Sequence, residues 1–277
     1  MRTAFVLGGG GLLGAVEVGM LKALFESGIR PDLVLGTSVG ALNGLMVASD
    51  PTPDVVGRLE QLWHEVGASN TVYSDSALRQ VRRVVRTGTH LHSIAPLRQL
   101  LEDDFGDTHF KDLPVEFQCV AANIERAAEH WFDEGPVVPA VLASAAVPGL
   151  LPPAKVGEEH FLDGGIVNSI PLGRAVELGA ERIYVLQVGR IDRPLKAPKR
   201  PWEVARVSFE IARRHRFARE MATLPEHVRA HVLPAGGSDK DDSPLAYRDA
   251  SLVKGRMETA YQLSAEYLAS SPEGTRP

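Results

Sequence analysis

A chain of 277 residues, 44% hydrophobic and 23% charged, is long enough to bury a large α/β core and too balanced for a disordered or fibrous protein. Its net charge of −5 gives no global case for nucleic-acid binding, and its single cysteine, Cys119, excludes an internal disulfide and a cysteine-cluster metal site. Cys119 lies in the largely apolar run Val115 to Ile124, where it reads as a small buried hydrophobe in a reduced, cytoplasmic setting.

In chain order, Thr3 to Leu7 reads as a buried strand; it enters a glycine string rather than a cleavage site, so it is not read as a signal peptide. Ala15 to Ser27 has helical spacing, with Gly28 closing it and Gly19 in its middle, where close packing onto the sheet is expected. Leu33 to Leu35 is the second strand, and a helix follows Ser38. Val55 to Val66, Ser76 to Val85 and Leu97 to Asp104 read as helices. Val115 to Ala122 is a strong strand with Glu129 to Phe132 as a short partner. Val137 to Ala146 reads as helical, Glu159 to Leu162 as extended, Ile170 to Leu178 as helical and Ile183 to Val188 as a strand. Trp202 to Met221, Ala230 to Leu233 and Ser251 to Leu268 complete the pattern as helix, strand and helix. The apolar stretch Val137 to Ala154 carries four prolines and makes a poor membrane span. Alternating strands and helices predict a three-layer α/β/α fold with a mostly parallel central sheet. One domain over 1–277 is expected, with a motif-bearing core at 3–190 and an extension at 200–270; Arg190 to Pro201 reads as a surface loop.

Three blocks carry chemistry. Gly36-Thr37-Ser38-Val39-Gly40 places a serine between an apolar strand and a helix. Such a turn lifts a hydroxyl into a cleft and aims a helix N-terminus at any anion formed there. Alone, the pattern also fits a serine that caps a helix. Gly8-Gly9-Gly10-Gly11-Leu12-Leu13-Gly14 lets backbone N–H groups converge on a negative oxygen. It also matches a dinucleotide fingerprint, but that reading wants an acidic residue at the far end of the second strand, and Asp32 opens that strand instead. His160-Phe161-Leu162-Asp163-Gly164-Gly165 offers a carboxylate at a strand end, or a plain Asp-Gly turn. Beside the other two blocks, Asp163 is the candidate base. No group of His, Asp and Glu has metal-ligand spacing, and no cofactor is expected.

These blocks, in this order, resemble the patatin-like phospholipases. The resemblance extends to Ala143 to Pro153 and Asp163 to Leu172, and covers about Thr3 to Ala48 and Val115 to Val188. It implies a serine acyl hydrolase working by a Ser-Asp dyad, with Ser38 as nucleophile, Asp163 as proton acceptor, and the Gly9, Gly10 and Gly11 N–H groups as oxyanion donors. Gly14, Gly36, Gly40, Gly164 and Gly165 complete the motifs. The implied substrate is a fatty acyl ester or phospholipid. The chain departs from the family pattern at Leu13, where relatives carry Arg or Lys; a neutral ester, lysolipid or thioester is then equally compatible. Desolvation is expected to raise the Asp163 pKa toward that of a useful base.

Two rival readings remain at this level. An α/β-hydrolase triad needs a histidine after the acid, and His215, His227 and His231 all follow Asp163. A regulatory lipid-binding protein on the same fold is the other. Lys196, Lys199, Arg200, Arg206, Arg213, Arg214, Arg216 and Arg219, interspersed with apolar residues, read either as a peripheral membrane contact or as a sheet-covering helix with a solvated basic face. A second basic run, Arg79, Arg82, Arg83 and Arg86, reads as a surface helix.

Overall fold

Short apolar runs separated by turn residues become strands that bury both faces. In the computed structural model, which describes residues 1–69, 90–188, 191, 194–236 and 250–270, the strands are β1 (Thr3–Leu7), β2 (Leu33–Thr37), β3 (Glu116–Asn123), β4 (Ala128–Phe132), β5 (Ala154–Val156), β6 (Glu159–Asp163), β7 (Arg182–Leu186) and β8 (Arg229–Val232). The helices are α1 (Ala15–Glu26), α2 (Val39–Ser49), α3 (Asp54–Ser69), α4 (Ala95–Phe105), α5 (Val137–Ser144), α6 (Gly165–Asn168), α7 (Leu172–Glu177), α8 (Pro201–Ala222) and α9 (Ala250–Ser270). The predicted helix Ser76 to Val85 and the run Arg79 to Arg86 lie outside the described residues.

The parallel part of the sheet runs β3-β2-β1-β7-β8, and β4, β5 and β6 add antiparallel pairings at the β3 side. Alternation along β1 builds the two cores. Phe5 and Leu7 face one cluster with residues of α1, α2, α3, α4, α5 and α9. Ala4 and Val6 face the other, with Leu172 and Ala175 of α7 and Phe217 of α8. The expected three layers follow directly from this period of two. Cys119 is fully buried in the first core, and burial pushes its thiol pKa up.

Local differences have physical reasons. The predicted helix from Ile170 begins at Leu172, because Pro171 has no N–H and restricts the residue before it. The four-residue turn α6 precedes it and was not expected from the sequence. α5 ends at Ser144 rather than Ala146, since the Ala146 carbonyl accepts the Asp163 N–H at 2.9 Å. The short strand β5, hidden behind Pro152 and Pro153, forms a hairpin with β6. Gly19 packs against α9, not the sheet: a Cβ there would stand 2.1 Å from the Met257 carbonyl oxygen. Gly19→Ala therefore sets an overpacking penalty of about 1–3 kcal/mol against a helix-propensity gain of up to about 1 kcal/mol. A lower thermal midpoint is expected; a raised one would show that α1 and α9 separate freely.

Candidate active site

The register along β3 brings two distant residues together. β4 occupies one edge of β3 from Cys119 to Asn123. β2 occupies the opposite edge only as far as Val120, and antiparallel β6 takes that edge from Ala121 to Asn123. The C-terminal ends of β2 and β6 therefore point at one another. Thr37 pairs with Val120, and Asp163 pairs with Ala121. The next residue after Thr37 is Ser38, so its side chain meets the last residue of β6.

At this junction Ser38 Oγ donates to Asp163 Oδ2 at 2.6 Å. Ser38 has φ 55° and ψ −122°, a region that L-residues rarely occupy and that typically costs about 1–3 kcal/mol. The elbow is tight. A Cβ on residue 36 would lie 2.5 Å from the Gly40 carbonyl oxygen, and one on residue 40 would lie 2.3 Å from that of Leu7. The Gly164 position is equally closed, 2.1 Å from the Val120 carbonyl oxygen. Asp163 Oδ1 accepts the Gly165 N–H at 2.7 Å, so the carboxylate orients itself at the start of α6. Asp163 is only 6% exposed. Burial pushes its pKa up from 3.8 to about 6, against the lowering effect of its hydrogen bonds from Ser38 and Gly165.

A bracket assigned no role in the sequence reading holds the pair. Ser144 Oγ accepts the Ser38 N–H at 2.9 Å, the Ser144 carbonyl accepts the Gly164 N–H at 3.1 Å, and the Ala146 carbonyl accepts the Asp163 N–H. Thr37 Oγ1 also donates to the Asn168 carbonyl at 2.8 Å. The end of α5 and the end of α6 thus fix the spacing of Ser38 and Asp163.

The glycine loop lies against the same junction. The empty side of Gly9 faces Ser38, whose Cβ would be 3.5 Å from a Cβ at Gly9. The Gly9 N–H donates to the Ser169 carbonyl at 2.9 Å. The Gly9 N–H is thus engaged within the protein, unlike what the resemblance implies for an oxyanion donor. Gly11 has φ 57°. Leu13 packs partly buried against the core. Below the loop, Trp63 Nε1 donates to Asn43 Oδ1 at 3.0 Å. Asn43 Nδ2 donates in turn to the Gly14 carbonyl at 3.0 Å and to Glu17 Oε2 at 2.7 Å. Glu17 is fully buried, and burial raises its pKa well above the usual carboxylate range despite its hydrogen bonds with Asn43 and the Gly8 backbone. This network ties α2 to the loop. Its sequence signal was two lone polar residues, Glu17 and Asn43, inside apolar helical runs.

The candidate histidines lie elsewhere. His215 and His227 are exposed. His231 is buried on β8, where it pairs with Tyr184 of β7 and stacks on that ring. Asp32 is at the opposite end of the sheet, accepting the Thr3 N–H at 2.8 Å. The basic helix is largely engaged with its own protein. Arg213 is buried and pairs with Glu210, Arg214 pairs with the same carboxylate, and Arg216 reaches Glu129, Glu220 and the Val167 carbonyl. Glu220 also accepts the Gly173 N–H at 2.8 Å. α8 thus clamps the segment that follows Asp163. Lys196, Lys199, Arg200 and Arg219 are exposed.

An α/β/α layer fold with a serine on a strained strand–helix turn, hydrogen-bonded to a buried aspartate beside a glycine loop, defines the class of serine-elbow α/β proteins. Residues 5–176 match the patatin-like phospholipase family model, and the chain belongs to that family. It is 33% identical over 187 residues to the lysophospholipase nte1 of Aspergillus terreus, and 34% identical over 187 residues to that of Emericella nidulans. Each match covers 68% of this chain but 12% of the relative, so the chain spans about an eighth of those proteins. The crystal structure of VipD from Legionella pneumophila shares the fold, with a TM-score of 0.50 at 14% identity, over 97% of this chain and 67% of that one.

Proposed function

We propose that this chain is a serine acyl hydrolase that cleaves fatty acyl esters through a Ser38–Asp163 dyad, with lysophospholipids as the first substrates to test. The observation that carries the reading is the 2.6 Å hydrogen bond from Ser38 Oγ to Asp163 Oδ2 at a strained elbow. Asp163, with its pKa near 6, is ionised at neutral pH and close enough to take the Ser38 proton. Ser38 Oγ then attacks the ester carbonyl carbon, and the carbonyl oxygen becomes an oxyanion facing the Gly10 and Gly11 N–H groups and the N-terminus of α2. Collapse expels the alcohol, which takes the proton from Asp163, and leaves an acyl-enzyme on Ser38. Water attacks that ester, Asp163 accepts its proton, and the fatty acid leaves as the proton returns to Ser38.

The names of the relatives support lysophospholipids as substrates. Leu13 puts an apolar side chain where family members carry a cation for loop or phosphate, which is equally compatible with a neutral ester, a lysolipid or a thioester. Phe209, 40% exposed, and Ile166, 43% exposed, border the Asp163 block and offer an apolar wall for an acyl chain. The test is fluorophosphonate labelling of the wild type, followed by lysophospholipids, diacyl phospholipids and short neutral esters assayed side by side. Labelling with faster turnover of single-chain esters is expected. An unlabelled wild type would sink the activated serine, and a clear preference for diacyl phospholipids would sink the substrate assignment.

A further inference from the structure

Ser169 is 3% exposed, and its Oγ has no hydrogen-bond partner among the described residues. A buried hydroxyl without a partner is uncommon and calls for a reason. Its placement supplies one. The point where a side chain at Gly9 would begin is 3.3 Å from Ser169 Oγ and 3.5 Å from Ser38 Cβ. The hydroxyl and the nucleophile's Cβ therefore both border the position that Gly9 leaves without a side chain. The same residue's carbonyl accepts the Gly9 N–H. Ser169 thus takes one backbone donor out of the loop and presents a side-chain donor at the same place.

We infer that Ser169 is a further catalytic residue: its Oγ–H donates to the acyl carbonyl oxygen as that oxygen becomes an oxyanion, beside the Gly10 and Gly11 N–H groups. This rests on the acyl-hydrolase reading above. Its Oγ has almost no accessible surface in the substrate-free chain, so it reaches an oxygen bound beside Ser38 by turning about the Cα–Cβ bond, while its Cβ stays fixed by the bond between its own carbonyl and Gly9. Its contribution belongs to the transition state, because the ground-state carbonyl carries far less charge. No other group in the described structure competes for that hydrogen.

The test is Ser169→Ala in the full chain, assayed on the best ester for kcat and KM, for the rate of fluorophosphonate labelling, and for its melting temperature. The expected result is a fall of about 10- to 100-fold in kcat and in labelling rate, with KM within about twofold, the size range for one lost oxyanion donor or somewhat less. The melting temperature is expected to hold or rise, since the substitution removes an unpartnered buried polar atom. Labelling of wild type and variant at equal rates would overturn the inference and leave the Ser38–Asp163 reading intact. A lowered melting temperature alongside the lost activity would overturn it too, by marking the hydroxyl as structural. A wild type that neither labels nor hydrolyses would remove the parent reading instead.

Discussion

Ser38→Ala is expected to abolish fluorophosphonate labelling and lower kcat by about 10⁴-fold or more, the scale seen when a covalent nucleophile is removed. The elbow adds a second expectation, about stability. Ser38 holds φ 55° with a Cβ, and alanine keeps that Cβ. Glycine removes it. Ser38→Gly is therefore expected to be as inactive as Ser38→Ala but more stable than it, by about 1 kcal/mol once the greater freedom of unfolded glycine offsets part of the relieved strain. Chemical denaturation of the two variants measures the difference. If the alanine variant were the more stable, the turn would not be strained in the folded protein. If either variant retained near-normal turnover, Ser38 would not be the nucleophile.

How much of this was legible in the chain depends on the range of the interaction. β1, β2, β3 and β7 are nearly continuous apolar runs, and their alternation with helices predicted the layers. Ser38 and the glycine loop announce themselves because local geometry demands small residues at fixed offsets. The meeting of Ser38 with Asp163 is different. It depends on β3 being long enough to pair with β2 over its first half and with β6 over its second, and no local pattern states that. Resemblance to a family supplied the pairing; register explains it. The Ser144 bracket was invisible for the same reason. Its bonds run to Ser38 and Gly164, and a serine at the end of an apolar helix looks like any other. The bond from the Gly9 N–H to the Ser169 carbonyl was not legible, because a run of four glycines cannot show which N–H another connection engages. The C-terminal arginines were ambiguous because charge reads the same whether it faces solvent or a carboxylate. The pairing with Glu210 and Glu220 on α8 itself and with Glu129 of β4 separates the two.

The largest coupled effect is expected at Asp163. The Asp163 carboxyl has a pKa of about 6 in the folded protein and an ordinary value of 3.8, so the folded state holds the proton more tightly. Between those values the folded protein binds more protons than the unfolded chain, and stability falls as pH rises through the window. Above about pH 6 the full penalty of a buried carboxylate is present, on the order of 3 kcal/mol for a shift of this size. Below pH 3.8 both states are protonated and the penalty vanishes. Asn mimics the neutral carboxyl in shape. Asp163→Asn is therefore expected to stabilise the fold by about 3 kcal/mol at pH 8, with the gain shrinking to nothing near pH 4. The same substitution removes the proposed proton acceptor, and kcat is expected to drop by about 10³-fold or more. In the wild type, kcat/KM is expected to fall about tenfold per pH unit below pH 6, where the acceptor is already protonated. Under the proposed dyad, stability trades against catalysis at one atom pair. A variant that is less stable at pH 8 would show that the ionised carboxylate is held comfortably, and then Asp163 would be too weak a base for the dyad. A variant that keeps its turnover would take Asp163 out of the mechanism altogether.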